Sequence, residues 1–173
     1  GVPRDTAERI WAGWEEFGRY AFNKSHAAAY AFVAYQTAYL KAHYPKEFMA
    51  ANLTSVMDNS DRVTVLIEEC RRMGIKVLPP DVNESDVTFT VVEDGIRFGL
   101  GAVKNVGTPA VLAILEARKE GPFRSLYDFC ERVDLKALNR RMLESLILAG
   151  ALDGLGGHRA QLLNCLLYTS DAA

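Results

Sequence analysis

The sequence predicts a mainly α-helical protein with one small β-hairpin, and three observations carry that expectation. Apolar residues recur at helical spacing through most of the 173 residues. Pro45, Gly74, Pro109, Gly121 and Gly150 punctuate these runs where helices would start or stop. One stretch, 88–98, alternates with a period of two around Glu93, Asp94 and Gly95, a hairpin pattern.

In chain order, Ile10, Trp11, Trp14 and Phe17 predict a helix over 6–20. Asn23 or Ser25 caps a second helix that runs to His43 and is stopped by Pro45. A third spans 45–57. A fourth begins after Ser60 or Asp61, carries Val63, Leu66, Ile67 and Cys70, and ends at Gly74. Residues 76–82 read as extended, because Pro79 and Pro80 forbid helix. Residues 83–86 form an acidic loop in which Glu84 and Asp86 are solvated surface. The hairpin pairs 88–92 with 96–98. Residues 99–104 make a short helix and 105–107 a tight turn; Thr108 caps the next helix, with Pro109 in its first position, and it runs to Glu120. Two amphipathic helices follow at 125–133 and 139–149, and Gly150, Gly154, Gly156 and Gly157 break up the end.

Composition limits the function classes. Apolar residues at 49% and charged residues at 24% suit a globular domain, and no apolar run is long enough to span a bilayer. The expected location is cytoplasmic, with no membrane partner. The start lacks both a Met and an apolar leader, which suggests an internal fragment. Cys70, Cys130 and Cys165 are far apart, as are His26, His43 and His158, so no metal site is expected; Cys70 and Cys130 read as core residues. The net charge of −2 is unevenly spread: residues 61–96 carry −4 and residues 97–141 carry +4, making the second stretch the place for a polyanion.

Three constellations stand out. On the 23–43 helix, His26, Tyr30, Val33, Thr37 and Lys41 share one stripe, while Phe32, Tyr35, Gln36 and Tyr39 lie on other faces. A helix apolar nearly all round is expected to be packed on several sides. Lys24, Ser25 and His26 at its start could hold phosphate oxygens and Tyr30 could stack; equally, they could be a capping serine, a satisfied histidine and a core tyrosine. No glycine lead-in precedes Lys24-Ser25, so this is not a P-loop. The second constellation is Val103-Lys104-Asn105-Val106-Gly107-Thr108, an apolar–x–x–apolar–Gly turn running straight into a helix. Ala110, Ile114, Arg118 and then Gly121-Pro122-Phe123-x-Ser125-Leu126 continue it. It resembles a helix-hairpin-helix element, in which backbone amides and Lys104 would read DNA phosphate rather than bases. An ordinary helical hairpin is the other reading. Third, Arg140 and Arg141 stand at a helix start, the unfavourable end for cations, where a phosphate or a neighbouring carboxylate could compensate them; ordinary exposed surface arginines are the other reading. The chain has no Asp-x-Asp pair, and the hydrolase and dinucleotide-binding motifs are missing.

FNKSHAAAYA (22–31), AYLKAHYPKEFMAA (38–51), ECRRMGIKVLPPDVN (69–83), IRFGLGAVKNVG (96–107), GPFRSLYDFCERVD (121–134), LNRRMLESLILAGALD (138–153) and HRAQL (158–162) occur in an order that resembles the bacterial family C replicative DNA polymerases, the DNA polymerase III alpha subunits. The resemblance covers about 1–164. It implies the helical fingers region of such an enzyme, with a nucleotide-facing portion at 1–80 and a duplex-binding portion, the β-hairpin plus the helix-hairpin-helix element, at 81–164. It implies nucleotide contacts from Lys24, Ser25, His26 and Tyr30, and duplex contacts from Lys104, Asn105, Gly107 and Thr108; Arg140 and Arg141 are added as DNA-binding candidates on the charge argument above. The implied partners are primer-template DNA and dNTP, with the sliding clamp and other replisome subunits bound elsewhere in the parent. Nucleotidyl transfer with Mg2+ would belong to a palm whose aspartates lie outside this chain, so no catalytic residue or metal ligand is expected here, and the fragment alone is expected to be inactive. Ala21 departs from the glycine usual in the family, and Asn23-Lys24 favours the main replicative type over its error-prone relatives. Rival readings are a free-standing helix-hairpin-helix module and a purely structural scaffold. Residues 165–173 resemble a translated sequencing-adapter end and are expected to be an artefact.

Overall fold

The computed structural model describes residues 1–20, 23–134 and 138–170. Among them the protein is mainly helical, with one small sheet, as the sequence pattern predicts. The chain divides into two compact units, Gly1–Tyr44 and Pro45–Ala173.

The first unit consists of α1 (Arg4–Tyr20) and α2 (Lys24–His43). Asn23 is the N-cap of α2: its side chain accepts from the His26 amide at 3.0 Å. Ser25, the alternative, lies inside the helix. No described residue of this unit is buried. That overturns the expectation that α2 is packed on several sides, and Tyr30, 66% exposed, is not a core tyrosine. Two helices offer too little surface to build a core, and a helix apolar all round has no single face to direct toward a neighbour. Ala21 and Phe22 lie outside the described residues.

The second unit contains α3 (Pro45–Ser55), α4 (Ser60–Arg72), β1 (Val77–Leu78), β2 (Thr90–Val92), β3 (Gly95–Arg97), α5 (Thr108–Arg118), α6 (Leu126–Arg132), α7 (Arg140–Ala149) and α8 (Arg159–Ser170), with 3-10 turns at Leu100–Ala102 and Asp153–Leu155. Asn59, not Ser60 or Asp61, caps α4. The extended stretch after α4 supplies a strand: β1 runs parallel to β3, with Val77 opposite Ile96, and β2 pairs antiparallel on the other side of β3. The sheet therefore draws strands from both sides of residue 80.

Two apolar clusters form the core. Met49, Leu53, Val63, Cys70, Phe89 and Ile96 join α3, α4 and the hairpin. A larger cluster around Leu100, Val111, Ile114, Phe129, Leu146 and Leu152 joins α5 to α8. Phe98 packs against both. Burial pushes up the thiols of Cys70, a core residue as expected, and of Cys130, half-buried against the larger cluster. Polar fasteners absent from any local pattern hold the loops. Asn83 and Phe123 exchange two hydrogen bonds, at 2.7 and 3.0 Å. Arg118 donates to the carbonyls of Val82 and Ser85 at 3.1 and 2.9 Å. Arg97 pairs with Glu84 and donates to the Pro79 carbonyl, so Glu84 is not simply solvated. Arg132 lies over the Phe123 ring, 4.7 Å from its centroid, and donates to the carbonyls of Ala117 and Gly121.

The glycine-rich end is more ordered than its composition suggests. Gly150 closes α7 in the left-handed conformation (φ 85°). Arg159 grips Asp153 with two nitrogens, its Nε at 2.9 Å, and donates to the Leu148 carbonyl. Helix α8 continues through 165–170, the start of the segment expected to be artefactual; helical geometry does not bear on its origin, and 171–173 lie outside the described residues. The Arg159 guanidinium holds the Asp153 carboxyl below its ordinary value of 3.8. A carboxyl depressed on folding contributes stability that is complete above its unfolded pKa and is lost as pH falls through the folded one. The melting temperature of Asp153→Asn should therefore lie below that of the parent by a constant margin from pH 7 to about 5. The margin should close in more acid solution; one that persists at pH 2 contradicts the assignment.

Candidate nucleic-acid interface

The turn between the 3-10 segment and α5 is built from alternating burial. Val103 and Val106 are buried, and the Val106 amide donates back to the Val103 carbonyl at 3.1 Å. Between them Lys104 and Asn105 are forced outward and are exposed. Asn105 takes φ 66°, the only positive φ of a non-glycine among the described residues, a conformation asparagine tolerates better than most. Its Nδ2 donates to Ser145 Oγ at 3.2 Å, tying the turn to α7.

Helix α5 begins differently from its neighbours. Asn23, Asn59, Ser125 and Asn139 each cap their helix with a side chain that accepts from the amide three residues on. The cap of α5 is Gly107, which has no side chain to do so, and Thr108 and Pro109 occupy the first helical turn. Thr108 is therefore not the cap, and Pro109 is not the first helical residue. Intrahelical bonding starts with Ala110 and Val111, which both donate to the Gly107 carbonyl, at 3.0 and 3.2 Å. The amides of Gly107 and Thr108 precede that bonding and, beside exposed Lys104, suit an anion.

Gly107 has φ −79°, open to any residue. A Cβ there would sit 3.6 Å from Pro109 Cδ and 3.9 Å from Met142 Cε, ordinary contacts. Folding of these residues does not require glycine at 107. Gly99, by contrast, also caps a helical turn with φ −73°, but its Cβ would lie 2.5–2.7 Å from backbone atoms of Val87 and Thr88.

Clefts flank the turn on two sides. One, of about 420 Å³, has Pro80, Phe98, Ser145 and Leu148 in its walls; the other, of about 510 Å³, has Met57, Asp58, Ser60, Gly107 and Met142, and Lys104 and Asn105 belong to both. Arg140 and Arg141 start α7, which also carries Met142 and Ser145. The Arg140 Nε pairs with Glu144 at 2.9 Å, so a carboxylate compensates that arginine. Arg141 is exposed. In the first unit, Lys24, Ser25 and His26 occupy the exposed first turn of α2, and the His26 and Tyr30 rings meet with centroids 4.4 Å apart and planes tilted by 46°, as their shared stripe predicts. Sequence reasoning missed the capping contrast and the Asn105–Ser145 tie; the recurrent Asn three residues before a helical amide was the available signal for the caps. Among the described residues no group of three or more His, Cys, Asp or Glu could hold a metal ion, and no helix is long and apolar enough to cross a membrane.

A turn of this geometry running into an uncapped helix defines a class, and a family model described as "Helix-hairpin-helix motif" matches residues 74–162. The chain belongs to the helix-hairpin-helix family. Over nearly its full length it is also similar to DNA polymerase III subunit alpha. It is 55% identical to that of Escherichia coli (strain K12) over 168 residues, 96% of this chain and 14% of the relative. It is 54% identical to that of Pseudomonas aeruginosa over 173 residues, 99% and 15%. The Thermus aquaticus subunit is 55% identical over 167 residues, 96% and 14%. The chain thus spans about 14% of the length of the curated relatives it matches.

Proposed function

We propose that this chain is the part of a DNA-directed DNA polymerase that holds the template-primer duplex and positions the incoming dNTP. The observation that carries the reading is the start of α5, where Gly107, which folding does not require, leaves the first amides without a side-chain cap. Similarity to DNA polymerase III subunit alpha supports it. In this reading the amides of Gly107 and Thr108, with Lys104 and Asn105, hold the sugar-phosphate backbone without reading sequence, and Arg141 adds charge. Lys24, Ser25, His26 and Tyr30 face the triphosphate and base of the dNTP, and the portions 1–80 and 81–164 divide these tasks. Fingers is the fitting name for such a region. Nucleotidyl transfer with Mg2+ belongs to carboxylates outside the described residues, and so do contacts with a sliding clamp and other replisome subunits; the setting is the bacterial cytoplasm.

Titration of a fluorescein-labelled blunt duplex against the 173-residue chain tests the duplex contact. Lys104→Glu should weaken binding about tenfold at low salt and reduce the salt slope by about 1. An unchanged isotherm would remove the turn from the interface.

A further inference from the structure

We propose that Asp58 limits the affinity of the duplex seat by setting a negative charge in the cleft that the Lys104–Gly107 turn also lines; this rests on the duplex-binding reading above. Asp58 belongs to the loop between α3 and α4 and lines the same cleft, of about 510 Å³, as Lys104, Asn105 and Gly107. The loop is held in place: the Asn59 amide donates to the Val56 carbonyl at 2.8 Å, and the Asn59 side chain is engaged in capping α4. Asp58 itself is exposed and has no ion pair among the described residues.

A phosphate bound by the Gly107 and Thr108 amides lies in the fields of Lys104 and Asp58 together. Asp58 and the turn line one cleft of about 510 Å³, and with a Debye length of ~8 Å at physiological ionic strength the carboxylate's field reaches a phosphate bound there. A lysine and an aspartate lining one cleft give a contact that grips the backbone yet releases it, which suits a protein that must travel along a duplex. Asp58 also precedes the α4 cap, where a negative charge favours the helix dipole. That structural role would move the melting temperature and leave duplex affinity unchanged.

The control is an equal charge change away from the cleft. Asp94 lies in the turn between β2 and β3, and the neighbouring Glu93 carbonyl accepts from Lys46 Nζ at 2.8 Å, placing that turn at the start of α3. Asp58 follows the far end of α3, whose 11 residues span about 16 Å. The labelled duplex is titrated against the 173-residue chain across a salt series. Asp58→Lys should tighten binding about tenfold at low salt and steepen the salt slope by about 1. Asp58→Asn should tighten it about threefold, and Asp94→Lys less than about twofold. If Asp58→Lys binds no more tightly than Asp94→Lys, the inference fails; should that variant melt early, Asp58→Asn decides, and no gain over the parent overturns it. A loss of affinity in Lys104→Glu alongside unchanged Asp58 variants sinks this inference alone, whereas no effect of Lys104→Glu sinks the duplex-binding reading beneath it.

Discussion

Gly99→Ala is expected to destabilise the second unit by about 3 kcal/mol, the upper part of the usual range for overpacking. The new methyl would stand 2.5 Å from the Thr88 carbonyl carbon and 2.6 Å from the Val87 oxygen. Neither neighbour is the yielding tip of a side chain. Both belong to a backbone segment pinned by Leu100 and Gly101, whose amides donate to the Asp86 and Val87 carbonyls at 2.8 and 3.0 Å. Relief would break those bonds and move the segment that enters β2. Backbone strain plays no part, because φ at Gly99 is −73°. Thermal unfolding followed by circular dichroism should show the midpoint lowered by roughly 10 °C. A midpoint within a degree or two of the parent would mean that the 86–88 segment gives way freely.

Gly107→Ala should do the reverse. The methyl has room, and loss of glycine reduces the freedom of the unfolded chain, so stability should hold or rise by about 0.5 kcal/mol. Duplex affinity should fall about tenfold or more, because a methyl over the Gly107 and Thr108 amides keeps a phosphate at arm's length and a hydrogen bond to a charged group is worth about 1.5–3 kcal/mol. The same melt and a duplex titration read the two effects side by side. Wild-type affinity in a stable Gly107→Ala protein would place the phosphate elsewhere.

The helices and hairpin were legible because their signals are local: a capping Asn or Ser, a stopping Pro or Gly, and Glu93-Asp94-Gly95 between alternating residues. Caps were legible only to within a residue. Asn59 rather than Ser60 and Gly107 rather than Thr108 do the capping, because the choice rests on the backbone angles of one residue. Arg118 illustrates a different limit. It fits the helical stripe of Ala110 and Ile114, but its guanidinium is occupied by carbonyls more than thirty residues away, a pairing no local pattern encodes. The 159–170 helix escaped notice behind four glycines. The packing of α2 was misjudged because an apolar helix signals a need for cover without saying who supplies it. At the candidate site, the outward Lys104 and Asn105 between two buried valines were readable from the turn pattern, whereas Asp58, which lines the same cleft, comes from a loop nearly fifty positions earlier.

Phe98 packs against both apolar clusters, and β1 and β3 pair across about 50 Å of extended chain if one counts only sequence, at about 3.3 Å for each intervening residue. The consequence is one of modularity. Cutting the chain at residue 80 would strip β3 of its parallel neighbour and open the wall that Phe98 closes, leaving two pieces that each expose what the other had covered. Recombination or engineering that exchanges the hairpin turn for another would have to carry α3 and α4 along with it. The 103–107 turn, which begins five residues beyond Phe98, travels in the same indivisible parcel.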